Sequence, residues 1–315
     1  RLPKALPHMK INPNVKVTNL GNLHHLGHAA STFYGSGFET AAAIIVDGAG
    51  SYHQEQMWEN GPVTGGFEAE TIYHCSYPHE FNALYKRYCD GGMTSHSKYY
   101  DNGIQEFDNS VTITKAYEAV SQYLGFGYIE AGKTMGLAPY GKYDENIPPI
   151  FIQGKGNKNL LRPNYPSGAM IDEFRFPYLI RHGNTQEWQN DETMVDDKQK
   201  NLAWHVQQET QQLVADLIQK AHDETGESNI VISGGYGLNC VANYFYKKTF
   251  PNLNIYVDPL SHDGGTALGL ARMFAYAQSQ STEPVKLKNV YLSSEPDYSD
   301  IGTIMEEMKD LKIKK

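Results

Sequence analysis

An unbroken run of small and β-branched residues, Ala41 to Val46, limits the fold of this chain more than any other feature. A run without polar alternation is typical of a strand that is covered on both faces. The run ends at Asp47, in the sequence VDGAG, so a carboxylate is expected in a glycine turn at the end of a buried strand. A chain of 315 residues is long enough for such a core and for two lobes.

The second half of the chain predicts an α/β core. Its most regular pattern is a helix from Lys198 to Glu224, in which apolar residues recur at helical spacing until Gly226 supplies a stop. Two strand–glycine–helix units follow: strands Asn229 to Ser233 and Asn254 to Val257, and helices near Leu238 to Lys248 and Thr266 to Tyr276. This repeated order indicates an α/β core in which helix N-termini can meet phosphate groups.

The first half of the chain is less regular. Asn22 is a favourable N-cap for a helix from Leu23 to about Tyr34, and Gly35 or Gly37 would end that helix. The remaining elements are helices at His79 to Tyr88 and Thr114 to Leu124, short strands and loops elsewhere in 50–112, a glycine-punctuated segment at 126–140, and an irregular, proline-rich insertion at about 142–197.

Composition and charge argue against several functional classes. The chain has 40% hydrophobic residues but no apolar run long enough to cross a bilayer, so a membrane role is not expected. The net charge is −9 and the basic residues are scattered, so nucleic acid is not expected as the main substrate. The three widely spaced cysteines favour a reducing, cytoplasmic setting. No signal-peptide pattern is visible in the first residues, and because the sequence does not open with Met it is expected to begin inside a longer protein.

Histidine spacing and two strand-end carboxylates suggest a metal site. On a helix, His24 and His28 share one face and can bind one ion together, whereas His25 points elsewhere. Taken alone, such a pair is more often a polar helix face. Asp47 in VDGAG and Asp263 in HDGGTALG each follow an apolar strand, and sites in open α/β sheets lie beyond the carboxyl ends of the strands. A single DG sequence is usually just a turn, but two of them after apolar strands favour carboxylates that join the histidine pair.

Glycine-rich segments that precede helices predict a nucleotide site, with tight strand–helix packing as the alternative. In SGGYGLNCVAN and DGGTALG, glycine lets backbone N–H groups approach an anion closely. Lys133 in EAGKTMGLAPYG is a candidate phosphate contact, although Glu130 three residues earlier also favours a surface ion pair. The candidate nucleotide-binding residues are Gly48, Gly50, Lys133, Gly136, Gly234, Gly235, Asn239, Asn243, Gly264 and Gly265.

In this order, HHLGHAASTFYGSGFETAAAIIVDGAG, EAGKTMGLAPYG, SGGYGLNCVAN and DGGTALG resemble the O-carbamoyltransferase family, which includes nodulation carbamoyltransferases and antibiotic-tailoring enzymes. The resemblance spans roughly residues 20 to 277. It implies an actin-like (ASKHA, Kae1-like) two-lobed ATPase fold. It also implies a Kae1-like domain over 1–283, without the family's N-terminal acceptor-binding part, and the start of a truncated YrdC-like domain or a linker over 284–315.

The resemblance also implies the chemistry. Family members transfer a carbamoyl group from carbamoyladenylate to a hydroxyl, and a YrdC-like domain makes that intermediate from carbamoyl phosphate and ATP. The family's metal, reported as iron, is held at positions that match His24, His28, Asp47 and Asp263. The candidate catalytic residues are Asp47, as general base, and His24. The expected partners are a small-molecule hydroxyl acceptor and a YrdC-like domain, in the same chain or a separate one, with a homodimer left open.

Three other functions remain open from the sequence. A tRNA threonylcarbamoyltransferase shares the fold, the histidine pair and an adenylate intermediate, but it needs an RNA-binding surface. A sugar kinase or ATPase on the actin-like scaffold would use Asp47 and Asp263 for Mg²⁺ and nucleotide, and has no need of the two histidines. A non-catalytic chain would only bind an acceptor or a partner subunit.

Overall fold

The structure, a computed structural model, describes residues 21–89, 100–108, 112–127, 129–147, 149–153, 161–163, 195–279 and 283–284. Its strands are β1 (Thr40–Val46), β2 (Tyr52–Gln56), β3 (Val63–Ser76), β4 (Glu80–Cys89), β5 (Tyr100–Asp101), β6 (Gln105–Asp108), β7 (Phe151–Gln153), β8 (Leu161–Pro163), β9 (Asn229–Ser233) and β10 (Asn254–Val257). Its helices are α1 (His24–Ser36), α2 (Ile113–Tyr123), α3 (Ala131–Leu137), α4 (Asp197–Thr225), α5 (Cys240–Thr249) and α6 (Gly264–Gln278), with 3₁₀ segments at Ala138–Tyr140 and Gly235–Leu238.

Strand β1 lies inside a mixed eight-stranded sheet. The strand order is β10-β9-β1-β3-β4-β6-β5, and β2 pairs with β3. Strands β9 and β10 run parallel to β1, whereas the long strand β3 runs antiparallel to it. The two strand–glycine–helix units predicted from the second half of the chain thus lie at one end of the sheet. The structure confirms a mixed α/β protein.

The run Ala41–Val46 is covered on both faces, as its lack of alternation predicts. Its odd-numbered residues belong to a core cluster with the apolar side chains of α1. Its even-numbered residues belong to a larger cluster with α2 and α4. All six residues have no exposed surface. Because successive side chains of a strand point to opposite faces, one apolar strand joins both halves of the core.

Helix α1 begins without a side-chain cap of its own, which corrects the prediction for Asn22. The N-cap is Leu23, and the helix ends at Gly37 in the left-handed conformation, with φ 74°. The first N–H groups are bound from other elements: Ser51 Oγ accepts the N–H of His24 at 3.2 Å, and Glu68 Oε2 accepts that of His25 at 3.3 Å. Helix N-termini leave such donors unsatisfied, and here distant residues satisfy them.

The segment from His79 to Tyr88, predicted as a helix, is instead strand β4. It pairs antiparallel with β3 and parallel with β6. Residues such as Ala83 and Leu84 favour a helix locally, but pairing on both sides and burial of Tyr88 outweigh that preference. The glycine-punctuated segment 126–140 is more ordered than predicted, since it contains α3 and a 3₁₀ segment. Strand β3, with 14 residues, is longer than the short strands predicted for 50–112. The predicted helices and strands of the second half of the chain, and the helix at Thr114 to Leu124, are confirmed to within a few residues.

Helices α1 and α6 pack at a distance that only glycine allows. A Cβ on Gly269 would lie 2.2 Å from the carbonyl oxygen of Gly27, and a Cβ on Gly27 would lie 2.9 Å from Cβ of Thr266. Ser31 Oγ of α1 donates to Asp258 Oδ2, in the loop before α6, at 2.6 Å. This close packing sets the position of the first turn of α6 relative to the histidines of α1.

Residues 285–315, which the predicted boundary at residue 283 assigns to a second domain or linker, and most of the insertion at 142–197 lie outside the described residues, so both stay predictions. Among the described residues of that insertion, β7 and β8 pair with each other. Cys75 and Cys89 are buried, Cys240 is exposed, and none of the three forms a disulfide among the described residues. None of the described helices combines the length and the apolar character that a bilayer crossing needs.

Candidate metal centre and adjoining cavity

Four side chains converge beyond the carboxyl end of β1. His24 and His28 lie one turn apart on α1, Asp47 directly follows β1, and Asp263 directly precedes α6. Their ligand atoms all lie within 4.8 Å of one another. His24 Nε2 lies 3.1 Å from Asp47 Oδ2, 3.2 Å from His28 Nε2 and 3.6 Å from Asp263 Oδ1. The structure thus brings together the four residues that the sequence suggested as metal ligands.

Each element delivers its ligand for a local reason. The spacing of the two histidines places them on one helix face, and the sheet directs Asp47 out of its carboxyl edge. Asp47 Oδ1 accepts the N–H of Gly235 at 2.9 Å, which fixes the carboxylate against the loop after β9. That loop passes so close to β1 that a Cβ on Gly234 would lie 2.3 Å from the carbonyl oxygen of Val46, and Gly234 has φ 92°. Only glycine at position 234 therefore lets this loop lie close enough to β1 for the N–H of Gly235 to reach Asp47.

His28 is held in one orientation by a residue that the sequence did not single out. The His28 side chain is fully buried, and its Nδ1 lies 3.3 Å from Oγ of Ser233, the last residue of β9. With Nδ1 as the donor to Ser233, His28 Nε2 presents its lone pair to the cluster. Hydrogen bonds of this kind commonly fix the tautomer of a metal-binding histidine. Ser233 and Gly235, at the end of β9 and in the loop after it, thus hold His28 and Asp47 in place.

The charges in the cluster shift the pKa values of three of its members. The hydrogen bond to Asp47 raises the pKa of His24, with the Asp47 and Asp263 charges adding to it and burial opposing it. Burial lowers the pKa of His28 despite the nearby carboxylates. Burial alone would raise the pKa of Asp47, but the hydrogen bond with His24 and the proximity of His28 bring it well below its usual value. Asp47 is thus an anion throughout the physiological range.

The donor set fits a divalent transition metal. Two imidazole nitrogens and two carboxylate oxygens are ligands that iron and zinc accept in proteins. Bonds of about 2.1 Å to a tetrahedral ion would place neighbouring ligand atoms about 3.4 Å apart. The separations from His24 Nε2 are 3.1 to 3.6 Å, and that between His28 Nε2 and Asp47 Oδ2 is 4.0 Å. Small side-chain movements would close the cluster on one ion, whose identity stays a prediction.

His25 serves a different purpose from its neighbours, in agreement with its expected direction. Its Nδ1 lies 2.7 Å from Thr71 Oγ1 on β3, and burial lowers its pKa to about 4. A Cβ on Gly50 would lie 2.6 Å from Cδ2 of the His25 ring. Gly50 therefore makes room for this buried neutral histidine. The structure offers this packing explanation for Gly50, whereas its nucleotide role stays a prediction.

A cavity of about 710 Å³ opens beside Asp47 and Asp263. Its size falls within the range of small-molecule sites. Three candidate nucleotide-binding residues, Gly48, Gly235 and Asn239, contribute to its lining. The other described lining residues are Ala49, Thr114, Lys115, Tyr117, Glu118, Ile129, Ala131, Gly132, Met135, Tyr236, Leu238 and His262. The cavity therefore joins the candidate metal cluster to the start of α2 and to the loop after β9.

The two candidate asparagines make hydrogen bonds within the protein. Asn239 Oδ1 accepts the N–H of Ala242 at 3.0 Å and caps α5, while Asn239 Nδ2 donates to Gln207 at 3.0 Å. Asn243 Nδ2 donates to the carbonyl oxygen of Gly237 at 2.8 Å, and Asn243 is not a lining residue. Both asparagines thus stabilise the loop after β9 through hydrogen bonds within the protein.

The remaining candidates lie off the described lining of the cavity. Lys133 pairs with Glu130 at 2.6 Å and is half exposed, and a Cβ on Gly136 would contact nothing. Gly264 N–H donates to His262 Nδ1 at 3.0 Å. A Cβ on Gly265 would lie 2.1 Å from the carbonyl oxygen of Leu260, so that glycine permits a tight turn into α6. Nucleotide contacts by these residues stay predictions.

Sequence reasoning did not single out Lys115 and Glu118, which both line the cavity. Lys115 Nζ donates to Glu118 Oε2 at 2.6 Å in the first turns of α2. The available signal was a lysine and a glutamate three positions apart, which is typical of any exposed helix. Only the fold shows that this helix begins beside the turn after β1.

Residues 9–272 match the model of a family described as "Carbamoyltransferase N-terminus". The nodulation protein NolNO of Sinorhizobium fredii is 25% identical over 290 residues, which cover 90% of this chain and 35% of that protein. The nodulation protein NolO of Bradyrhizobium diazoefficiens is 26% identical over 278 residues, 85% of this chain and 41% of that protein. An uncharacterized Synechocystis protein, sll1178, is 27% identical over 260 residues, 80% of this chain and 36% of that protein.

Solved structures of HypF resemble the chain more distantly. Full-length HypF in a phosphate- and nucleotide-bound form aligns with a TM-score of 0.46 at 15% identity, over 89% of this chain and 45% of that one. HypF of T. kodakarensis aligns with a TM-score of 0.41 at 15% identity, over 81% of this chain and 36% of that one. We infer neither fold nor function from similarities at this level.

The chain spans between 35% and 41% of the length of the three curated relatives named above. The family match, by contrast, covers most of the chain and contains all four residues of the metal cluster. The chain therefore belongs to the carbamoyltransferase N-terminus family.

Proposed function

We propose that this chain carries the transferase site of an O-carbamoyltransferase, which moves a carbamoyl group from carbamoyladenylate to the hydroxyl of a small-molecule acceptor. The observation that carries this proposal is the cluster of His24, His28, Asp47 and Asp263 beside a cavity of about 710 Å³, in a chain of the carbamoyltransferase family. The cavity offers space for a nucleotide-linked donor next to the cluster.

The proposed donor is a mixed anhydride, made from carbamoyl phosphate and ATP in a YrdC-like domain of the same or another chain. Attack by the acceptor oxygen on the carbamoyl carbon forms the new C–O bond. The bond from that carbon to the phosphate oxygen breaks, and AMP leaves with the electron pair. AMP is a good leaving group, so the site mainly has to position the acceptor and take up its proton.

The proposed metal is a divalent ion, with iron favoured by the family resemblance, held by His24, His28, Asp47 and Asp263. When bound, such an ion would polarise the carbamoyl oxygen or lower the pKa of the acceptor hydroxyl. The chain contributes the orientation of these ligands through the Ser233 contact to His28 and the Gly235 contact to Asp47.

Asp47 and His24 are the proposed catalytic residues. Since the pKa of Asp47 is well below its usual value, its carboxylate can accept a hydrogen bond from an acceptor hydroxyl at any physiological pH. The same low pKa makes Asp47 a weak base, so we expect it to take the proton only as the new C–O bond forms. His24 is partly exposed, and its Nε2 lies 3.1 Å from Asp47 Oδ2, so with an ion bound His24 would act on the acceptor as a ligand beside that carboxylate.

The fold that we propose around this site is the actin-like, Kae1-like ATPase fold, with two lobes about the cavity. Its support is the convergence of three elements at one edge of the sheet. Glycine turns that follow β1 and β9 line the cavity, and the start of α6 lies at the metal cluster. The glycines of these turns allow the close backbone approach that a nucleotide site needs.

The test is a reconstitution with the full-length protein. Carbamoyl phosphate, ATP and a panel of hydroxylated acceptors are supplied with Fe²⁺, with and without a separate YrdC-like domain, and AMP, pyrophosphate and carbamoylated product are measured. The proposal predicts acceptor-dependent product together with AMP. Failure to carbamoylate any acceptor when carbamoyladenylate itself is supplied to the metal-loaded protein would overturn it.

A further inference from the structure

We propose that Lys115 provides the cationic contact to the phosphate group of the nucleotide-linked donor in the cavity. This inference rests on the proposed function, because it takes the cavity as the nucleotide site. It adds a specificity-determining residue outside the four-residue metal cluster. Three observations carry it: the placement of Lys115, the charges around the cavity and the nature of its ion pair.

The start of α2 is tied to the turn that follows β1. Thr112 Oγ1 donates to the carbonyl oxygen of Gly48 at 3.1 Å and accepts the N–H of Lys115 at 2.9 Å. A Cβ on Gly48 would lie 3.5 Å from Cε of Lys115 and 3.6 Å from its Nζ. The lysine stem thus lies along the turn Asp47–Ala49, and its ammonium group is at the cavity wall that this turn forms.

The described lining of the cavity is rich in carboxylates. Asp47, Glu118 and Asp263 are acidic, and Lys115 is the single lysine or arginine among the described lining residues. A phosphate beside three carboxylates needs cations to offset the repulsion. An ion held by the metal cluster would offset the charge at Asp47 and Asp263, and Lys115 and Glu118 would then set the charge at the α2 wall.

The ion pair between Lys115 and Glu118 lies at the cavity wall, where a bound anion can reach it. Its Nζ to Oε2 distance is 2.6 Å, and the two side chains are 28% and 20% exposed. Both side chains line the cavity, so an anionic phosphate bound there can compete with Glu118 for the ammonium group. Glu118 would then orient the lysine at the cavity wall rather than neutralise it permanently.

The test compares the binding of AMP with that of adenosine, which differ only in the phosphate group. Calorimetric titrations of the full chain at low, fixed ionic strength would use the native protein, Lys115→Gln and Lys115→Arg. The matched control is Lys200→Gln, since Lys200 forms the same kind of i,i+3 ion pair with Asp197 at 3.0 Å on α4, away from the cavity. Thermal unfolding checks that each variant is folded.

We expect the native protein to prefer AMP over adenosine, and Lys115→Gln to reduce that preference about tenfold with adenosine affinity unchanged. Lys115→Arg should keep most of the preference, and Lys200→Gln all of it. A Lys115→Gln protein that retains the full preference overturns the inference and leaves the proposed function intact, as does a native protein that binds both ligands equally. Binding of neither ligand by the native protein overturns both.

Discussion

His24 Nε2 lies 3.1 Å from Asp47 Oδ2, although 23 positions separate the two residues in the chain. The contact joins the first turn of α1 to the end of β1, and it raises the pKa of His24 while it helps to lower that of Asp47. It links a helix that carries two imidazoles to the carboxylate at the edge of the sheet. The proposed chemistry therefore depends first on Asp47.

Replacement of Asp47 by Asn should abolish most carbamoyl transfer and leave the fold intact. Asn keeps the size of the side chain and can still accept the N–H of Gly235, but it loses the negative charge. We expect a decrease in transfer rate of about 10²- to 10⁴-fold, measured as product formation by the full-length protein. Asp216→Asn, at an exposed position on α4, is the control. Near-native transfer by the Asp47 variant would argue against its assignment.

Replacement of His28 by Ala should remove the bound transition metal. His28 is fully buried and contributes the one ligand atom that Ser233 fixes, so its loss removes an oriented ligand. Metal analysis of the purified protein, or the absorption spectrum after Co²⁺ loading, would measure the change. His53→Ala is the control, because His53 pairs with Glu55 on β2 and lies outside the cluster. Native protein that holds only Mg²⁺ would instead favour the kinase interpretation.

Three ligands of the metal cluster could be predicted because His24 and His28 stand on α1 and Asp47 directly follows β1. Asp263 was expected to end a buried apolar strand, but it lies in the turn before α6, six residues beyond the end of the partly exposed strand β10. A spacing of four on a helix and a position after a buried strand are properties of local geometry, which the sequence encodes directly. Ser233, Lys115 and Glu118 could not be found in this way. Their roles depend on which loop of the sheet faces which helix, and that is decided by packing over long sequence distances.

The errors in the fold predicted from the sequence have the same origin. Asn22 was expected to cap α1, but Ser51, just before β2, and Glu68, on β3, bind the first N–H groups. The segment at β4 was expected to be a helix, but β3 and β6 pair with it on either side. Local preference fails where a partner distant in sequence satisfies the backbone groups better.

Replacement of Gly269 by Ala should destabilise the protein and weaken metal retention. The new Cβ would lie 2.2 Å from the carbonyl oxygen of Gly27, so α6 would have to move away from α1. We expect a loss of about 1 to 3 kcal/mol in the free energy of unfolding, measured by denaturant titration. Because Asp263 directly precedes α6, metal affinity should fall as well. Gly132→Ala is the stability control, since its Cβ would meet nothing within 4 Å.

Replacement of Glu106 by Gln should flatten the dependence of stability on pH. Burial raises the pKa of Glu106 from 4.5 to about 7, with the nearby Arg87 opposing and Asp108 adding to the shift. Between these values the folded protein binds more protons than the unfolded chain, so stability should fall as pH rises through that window. We expect the native protein to lose about 1 to 2 kcal/mol between pH 5 and pH 8 through this group.

The Gln side chain keeps the acceptor for the hydroxyl of Tyr85, which donates to Glu106 Oε2 at 3.2 Å, and it cannot ionise. Denaturant titrations at a series of pH values would therefore give a smaller change of unfolding free energy with pH for Glu106→Gln than for the native protein. Glu59→Gln, at an exposed position between β2 and β3, is the control and should keep the native pH dependence. Equal slopes for native protein and Glu106→Gln would mean that Glu106 is already ionised in the folded state at pH 5, with Arg87 outweighing the effect of burial.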